Sequence, residues 1–200
     1  MVAKRTNLHL RAGRTQSGFT LLEVLISMVV MVTGLLAVLA VLGMAMASTS
    51  TSQQNAICKR LANEALESIL TARETANIQF SQIANGTCLV GQNCGIFLTG
   101  AQPINLPGAD GIIGTSDDAA AGPQILEMPG PSGVYMNTCP PDKCVPLTNY
   151  TRTITIAPYT VGGVPVGTLN VVTITITYNN PQWKGLPQNY VLQTMISQYR

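Results

Sequence analysis

Charge is scarce in this chain. Only 10% of its 200 residues are charged, against about 25% in an ordinary soluble domain. Imidazole is scarcer still: the single histidine is His9. If the residues up to Gly18 leave, no histidine remains to activate a serine or cysteine nucleophile. No G-x-x-x-x-G-K-[ST] phosphate loop is present. Asp117 and Asp118 are a carboxylate pair, but adjacent residues rarely face one another across a substrate. An enzyme is therefore not expected. Lys4, Arg5, Arg11 and Arg14 precede Gly18, whereas all 9 acidic residues follow it. Beyond Gly18 the balance is 7 basic residues (11 − 4) against 9 acidic, or −2. No basic surface for nucleic acid is expected from that balance. Proline is absent before Pro103, so nothing in the first half forces a helix to break. No repeat has a solenoid period.

What the first half does contain is a long apolar run, from Phe19 to Ala47. Its 24 residues from Val24 to Ala47 carry neither charge nor proline. At about 1.5 Å rise per residue, roughly 20 such residues cross a hydrocarbon core. A secretory signal peptide is the rival reading, with Ala45-Met46-Ala47 as its cleavage site. Its apolar region, however, spans only about 7 to 15 residues. The four basic residues before the run place the N-terminus in the cytoplasm and the remainder outside the inner membrane.

Glu23 stands out in that run. A carboxylate in hydrocarbon costs at least about 2.5 kcal/mol, so it sits at an interface, is protonated, or finds a partner. A glutamate snorkelling to the nearby interface is one reading. A second begins with a cut after Gly18, which would give Phe19 a free α-amine. That cation, one turn away or on a neighbouring copy, would be a partner for Glu23 and would register one copy on the next.

The segment GFTLLEVLISMVVMVTGLLAVL, behind a short basic leader, resembles the N-terminus of type IV prepilins and pseudopilins. The resemblance covers about the first 45 residues. It implies removal of residues 1–18 by a prepilin peptidase between Gly18 and Phe19, N-methylation of Phe19, and Glu23 as the assembly residue. It also implies other pilin subunits and the pilus or secretion assembly machinery as partners, with the inner membrane holding residues 19–47 before assembly. The Thr33-Gly34-Leu35-Leu36-Ala37 stretch is similar to minor pilins of the type IV pilus modification kind. The expected function is a minor pilin of a type IV pilus. A pseudopilin of a type II secretion system is the alternative within the superfamily. A permanently anchored periplasmic binding protein that never assembles is the alternative of another class.

Beyond the membrane segment, residues 48–200 are expected to form one periplasmic α+β domain. Cys58, Leu61, Ala62, Ala65, Leu66 and Ile69 fall on one face of a helix, and one long helix from about Phe19 to about Asn77 is expected. The STSTSQQN patch at 48–55 would be a softer segment within it. Thr151–Ala157, Leu169–Tyr178 and Asn189–Ser197 alternate in the manner of half-buried strands, with VGGVPVG as turn chemistry between the first two. An antiparallel meander packed on the helix stripe follows, a pilin-like architecture. Residues 80–149 read as a variable loop region, which in pilin-like proteins lies on the filament surface.

Five cysteines are present. Outside the inner membrane oxidation is expected. Cys88–Cys94 and Cys139–Cys144 is the simplest of the three pairings that four cysteines allow. Zinc is the rival, but the spacings are not C-x2-C and no histidine stands nearby. Cys58, on the apolar stripe, is expected to be a buried thiol, with an intermolecular disulfide as the other reading. The stretch GADGIIGTSDD presents Asp110, Asp117 and Asp118 among glycines. It does not meet the EF-hand pattern, and a solvated turn is one expectation. Pseudopilins contain calcium loops, so the resemblance makes calcium on these three aspartates the other.

Overall fold

The computed structural model describes residues 18–127, 144–179 and 186–199. The chain divides into two compact units, residues 1–48 and 49–200. A single helix, α1 (Leu21–Glu74), contributes to both. It continues through the Ser/Thr/Gln patch without a break.

In the first unit, the large apolar side chains of α1 from Leu21 to Met46 are all exposed, from 46% for Val24 to 85% for Leu21. Among the described residues nothing covers them. The segment is long and apolar enough to cross a membrane by length and composition. Removing such a surface from water stabilises by about 1.5–3 kcal/mol per large side chain. Lipid or neighbouring helices are the available means.

In the second unit, α1 buries Cys58, Leu61, Ala62, Ala65, Ile69 and Ala72. These positions make the stripe expected from the 3.6-residue period, with Leu66 half-buried beside it. The helix ends at Glu74, three residues before the expected Asn77. Ala76 takes φ +59°, and the N–H of Asn77 bonds the carbonyl of Ala72 at 2.9 Å. This is a Schellman-type stop with alanine where glycine is usual.

The stripe packs against a four-stranded antiparallel sheet ordered β1-β4-β5-β6. The strands are β1 (Gln102–Pro103), β4 (Tyr150–Val161), β5 (Val164–Asn179) and β6 (Pro187–Ser197). A second pair, β2 (Ile125–Glu127) and β3 (Cys144–Pro146), lies apart from it. A short helix, α2 (Asp118–Ala121), precedes β2. The β4–β5 hairpin is longer than the alternation suggests. Only Gly162 and Gly163 turn, at φ +59° and +83°, and Val164 to Gly167 already belong to β5. Two successive positive-φ residues make the tight turn that matches strand twist. The register sets Ile154 beside Ile174 and Ile174 beside Leu192. Tyr150, Arg152, Ile154, Val172, Ile174, Ile176 and Tyr178 are buried. Threonines at 151, 153, 155, 173, 175 and 177 occupy the alternate positions.

Residues 78–124, most of them in the region read as a variable loop, contribute to the interior. Ile78, Ile83, Ile96, Phe97, Ile104, Ile112 and Ile113 all join the core. Asn85 takes the place of a missing strand: its amide donates to Ile154 O at 2.8 Å and accepts from Ile156 N at 2.7 Å. Those bonds satisfy backbone groups on the open edge of β4.

Candidate functional site

The N-terminal site is built on the first turn of α1. Gly18, Phe19 and Thr20 precede the helix and are exposed. The N–H of Glu23 is shared between the carbonyl of Thr20, at 3.0 Å, and its hydroxyl, at 3.3 Å. Thr20 is thus the N-cap and Glu23 the third helical residue. Thr20-Leu-Leu-Glu23 is a capping-box spacing, [ST]-x-x-[DE]. That signal lies in the sequence itself, beside the charge of Glu23.

Polar side chains further along are satisfied by their own helix. The Ser27 hydroxyl donates to Val24 O at 2.9 Å, and the Thr33 hydroxyl lies 3.0 Å from both Val29 O and Val30 O. Such back-bonding removes the cost of a hydroxyl in an apolar medium. Glu23 differs: among the described residues its carboxylate has no partner. It lines an open groove with Thr20, Leu22, Ile26, Ser27, Val30 and Met31.

Residues 13–39 match the prokaryotic N-terminal methylation motif.

The motif is the prepilin-type signal, and it spans the basic residue Arg14, the Gly18–Phe19 peptide and Glu23. It supports a type IV pilin-like or pseudopilin subunit. It implies processing by prepilin peptidase and assembly with other pilin subunits. Together with the apolar helix it is consistent with membrane anchoring. No curated protein and no solved structure gives a significant match to the chain.

The second group of predicted residues lies in the 108–118 loop, where all three aspartates come together as internal acceptors. Asp118 accepts from Gly108 N at 3.1 Å and Gly114 N at 2.6 Å. Asp117 accepts from Asp110 N at 3.2 Å and from the Thr115 hydroxyl at 2.6 Å. Asp110 accepts from Ile112 N at 2.8 Å. A Cβ on Gly108 would lie 2.2 Å from the Asp117 carboxylate, which would have to move to admit it. Burial pushes the Asp118 and Asp110 carboxyls above the usual range, against the hydrogen bonds they accept. Asp117 is held below it by the Thr115 hydroxyl and loop N–H groups, which outweigh its own desolvation. Among the described residues no group of three or more His, Cys, Asp or Glu side chains is placed to hold a metal ion. The oxygens are turned toward N–H and O–H donors of the loop.

The loop and the segment that follows it are strapped to α1. Ile113 N bonds the Ser68 hydroxyl at 3.3 Å, and Gln124 donates to both Glu64 carboxylate oxygens at 3.0 Å. Beneath lies Arg152, 2% exposed, in the field of Asp118 and Glu64. Burial pulls its guanidinium down to about 10, and the two carboxylates oppose that fall. Among the described residues, Arg152 Nη1 and Gln124 Oε1 are buried without partners. Arg152 was not singled out from the sequence. Its parity was the available signal, since in TRTITIA it shares the inward register of Ile154 and Ile156.

Cys88 and Cys94 form a disulfide, with Cα atoms 6.0 Å apart. Cys139 lies outside the described residues, as does the side chain of Cys144, so that pairing has no structural description. Cys58 is a buried free thiol, and desolvation raises it to about 11.

Proposed function

We propose that this chain is a structural filament subunit, a minor pilin of a type IV pilus. Prepilin peptidase removes residues 1–18, Phe19 becomes the methylated N-terminus, and residues 19–47 hold the subunit in the bacterial inner membrane until assembly. Residues 48–200 then form the periplasmic domain, which becomes extracellular in the filament. The observation that carries this reading is the Glu23 carboxylate, without a partner among the described residues, on an apolar helix whose Ser27 and Thr33 hydroxyls bond its own carbonyls. A charge left so in hydrocarbon is costly, and the α-amine of Phe19 on an adjacent copy offsets it. Packing against neighbouring helices replaces lipid contacts as the subunit leaves the membrane.

The test is made on the protein produced with its peptidase and pilus machinery. Glu23→Val is expected to insert and be processed like wild type, yet to be depleted from sheared filaments by about ten-fold, the effect of about 1.4 kcal/mol in an equilibrium. Mass spectrometry of the mature N-terminus is expected to show methylated Phe19. A chain that keeps residues 1–18, or normal incorporation of Glu23→Val, would refute the proposal and favour an anchored binding protein. Loss of pili rather than of secretion in a deletion strain separates a pilin from a type II secretion pseudopilin.

A further inference from the structure

We propose that Thr20 is a positioning residue for the processing step, an inference that rests on the function proposed above. The peptide to be cut is Gly18–Phe19, and its reacting group is the Gly18 carbonyl. If α1 began one turn earlier, that carbonyl would accept the Leu22 N–H and the Phe19 carbonyl would accept the Glu23 N–H. Thr20 prevents this by holding the Glu23 N–H with its own carbonyl and hydroxyl, at 3.0 and 3.3 Å. The helix starts at Leu21, and the Gly18–Phe19 peptide stays outside it. Both flanking residues are exposed, Phe19 at 83%.

The chemistry needs that free backbone. Water adds to the Gly18 carbonyl carbon, and the bond from that carbon to the Phe19 nitrogen breaks. Gly18 keeps the added oxygen as a carboxylate, and Phe19 leaves with both protons of the water, as an ammonium. A carbonyl engaged in a helix would have to be unwound first, at a cost in rate. Thr20 has a second consequence after the cut. It bonds the Glu23 N–H, so the residue that stops the helix also sets where the first turn, with Glu23 on it, begins relative to the new amine.

The experiment uses the full-length chain in membranes with prepilin peptidase, following cleavage by gel and mass spectrometry. Thr20→Val keeps the branched shape and loses the hydroxyl; Thr20→Ser keeps the hydroxyl and loses the methyl. Thr20→Val is expected to be cut about five-fold more slowly, the population shift that loss of a cap of this kind produces. Thr20→Ser is expected to stay within about two-fold of wild type, since serine caps as well as threonine. Equal rates for Thr20→Val and wild type would overturn the proposal. So would Thr20→Ser as slow as Thr20→Val, because shape rather than the hydroxyl would then decide. An uncut wild-type chain is a different failure, since it removes the processing itself. Thr20 lies outside the buried core of residues 49–200, so thermal melting of that domain should be the same in all three proteins.

Discussion

Replacing Arg152 by methionine keeps most of the side-chain volume and removes the charge beneath the 108–118 loop. Asp118, 7% exposed, then keeps its bonds from Gly108 and Gly114 but loses its buried counter-charge. Burial already raises Asp118, and the Arg152 charge opposes that rise. Removing an opposite charge from beside a buried carboxylate pushes its pKa further up. The variant should therefore be less stable than wild type at neutral pH, by an amount on the order of that for losing one partner of a partly compensated buried charge, about 1–4 kcal/mol. The sign follows from linkage: the folded variant holds its proton more tightly than the unfolded chain does. Stability is therefore fully present below the unfolded value of about 3.9 and falls as pH rises through the folded one. The deficit relative to wild type should be large at pH 7 and should shrink as pH falls below the unfolded value of about 3.9, where both states become protonated. Urea denaturation of residues 49–200 at the two pH values measures it, with the Asp118→Asn background as the second arm of a double-mutant cycle. A deficit of equal size at both pH values, or a variant more stable than wild type at pH 7, would refute the electrostatic account.

Two further outcomes are expected. Ala76→Gly relieves an alanine held at φ +59°; left-handed strain of about 1–2 kcal/mol, less the chain entropy glycine adds, leaves a gain of about 0.5–1 kcal/mol. A lower melting temperature for that variant would contradict the Schellman reading. Calcium titrated calorimetrically into residues 49–200 should give no saturable heat at millimolar concentration, because the Asp110, Asp117 and Asp118 oxygens already serve the loop. A saturable heat abolished by Asp117→Asn would instead establish the loop as a cation site.

The elements readable in advance were those with a period. The stripe from Cys58 to Ile69 and the alternation in Thr151–Ala157 and Leu169–Tyr178 repeat because one face is buried along its whole length. The interior positions of residues 78–124 have no such regularity. Ile83, Ile104 and Ile112 each reach the core from an irregular backbone, so their neighbours in sequence do not announce them. Arg152 was hidden differently: a charged residue in an alternating strand is ordinarily assigned to water, and only its register with Ile154 places it inside. At the N-terminus the Gly18-Phe19…Glu23 spacing was plain. The capping role of Thr20 rests on one hydroxyl, and its [ST]-x-x-[DE] spacing is shared with the charge of Glu23, which gives that glutamate two reasons to stand there.

Every fully buried core residue among those described lies between Cys58 and Ile196. A chain arranged so keeps its demands on lipid and its demands on water in separate lengths. The folded domain asks nothing of the bilayer for its own cohesion. A segment that trades acyl chains for neighbouring helices can therefore make the exchange while the domain beyond it stays intact.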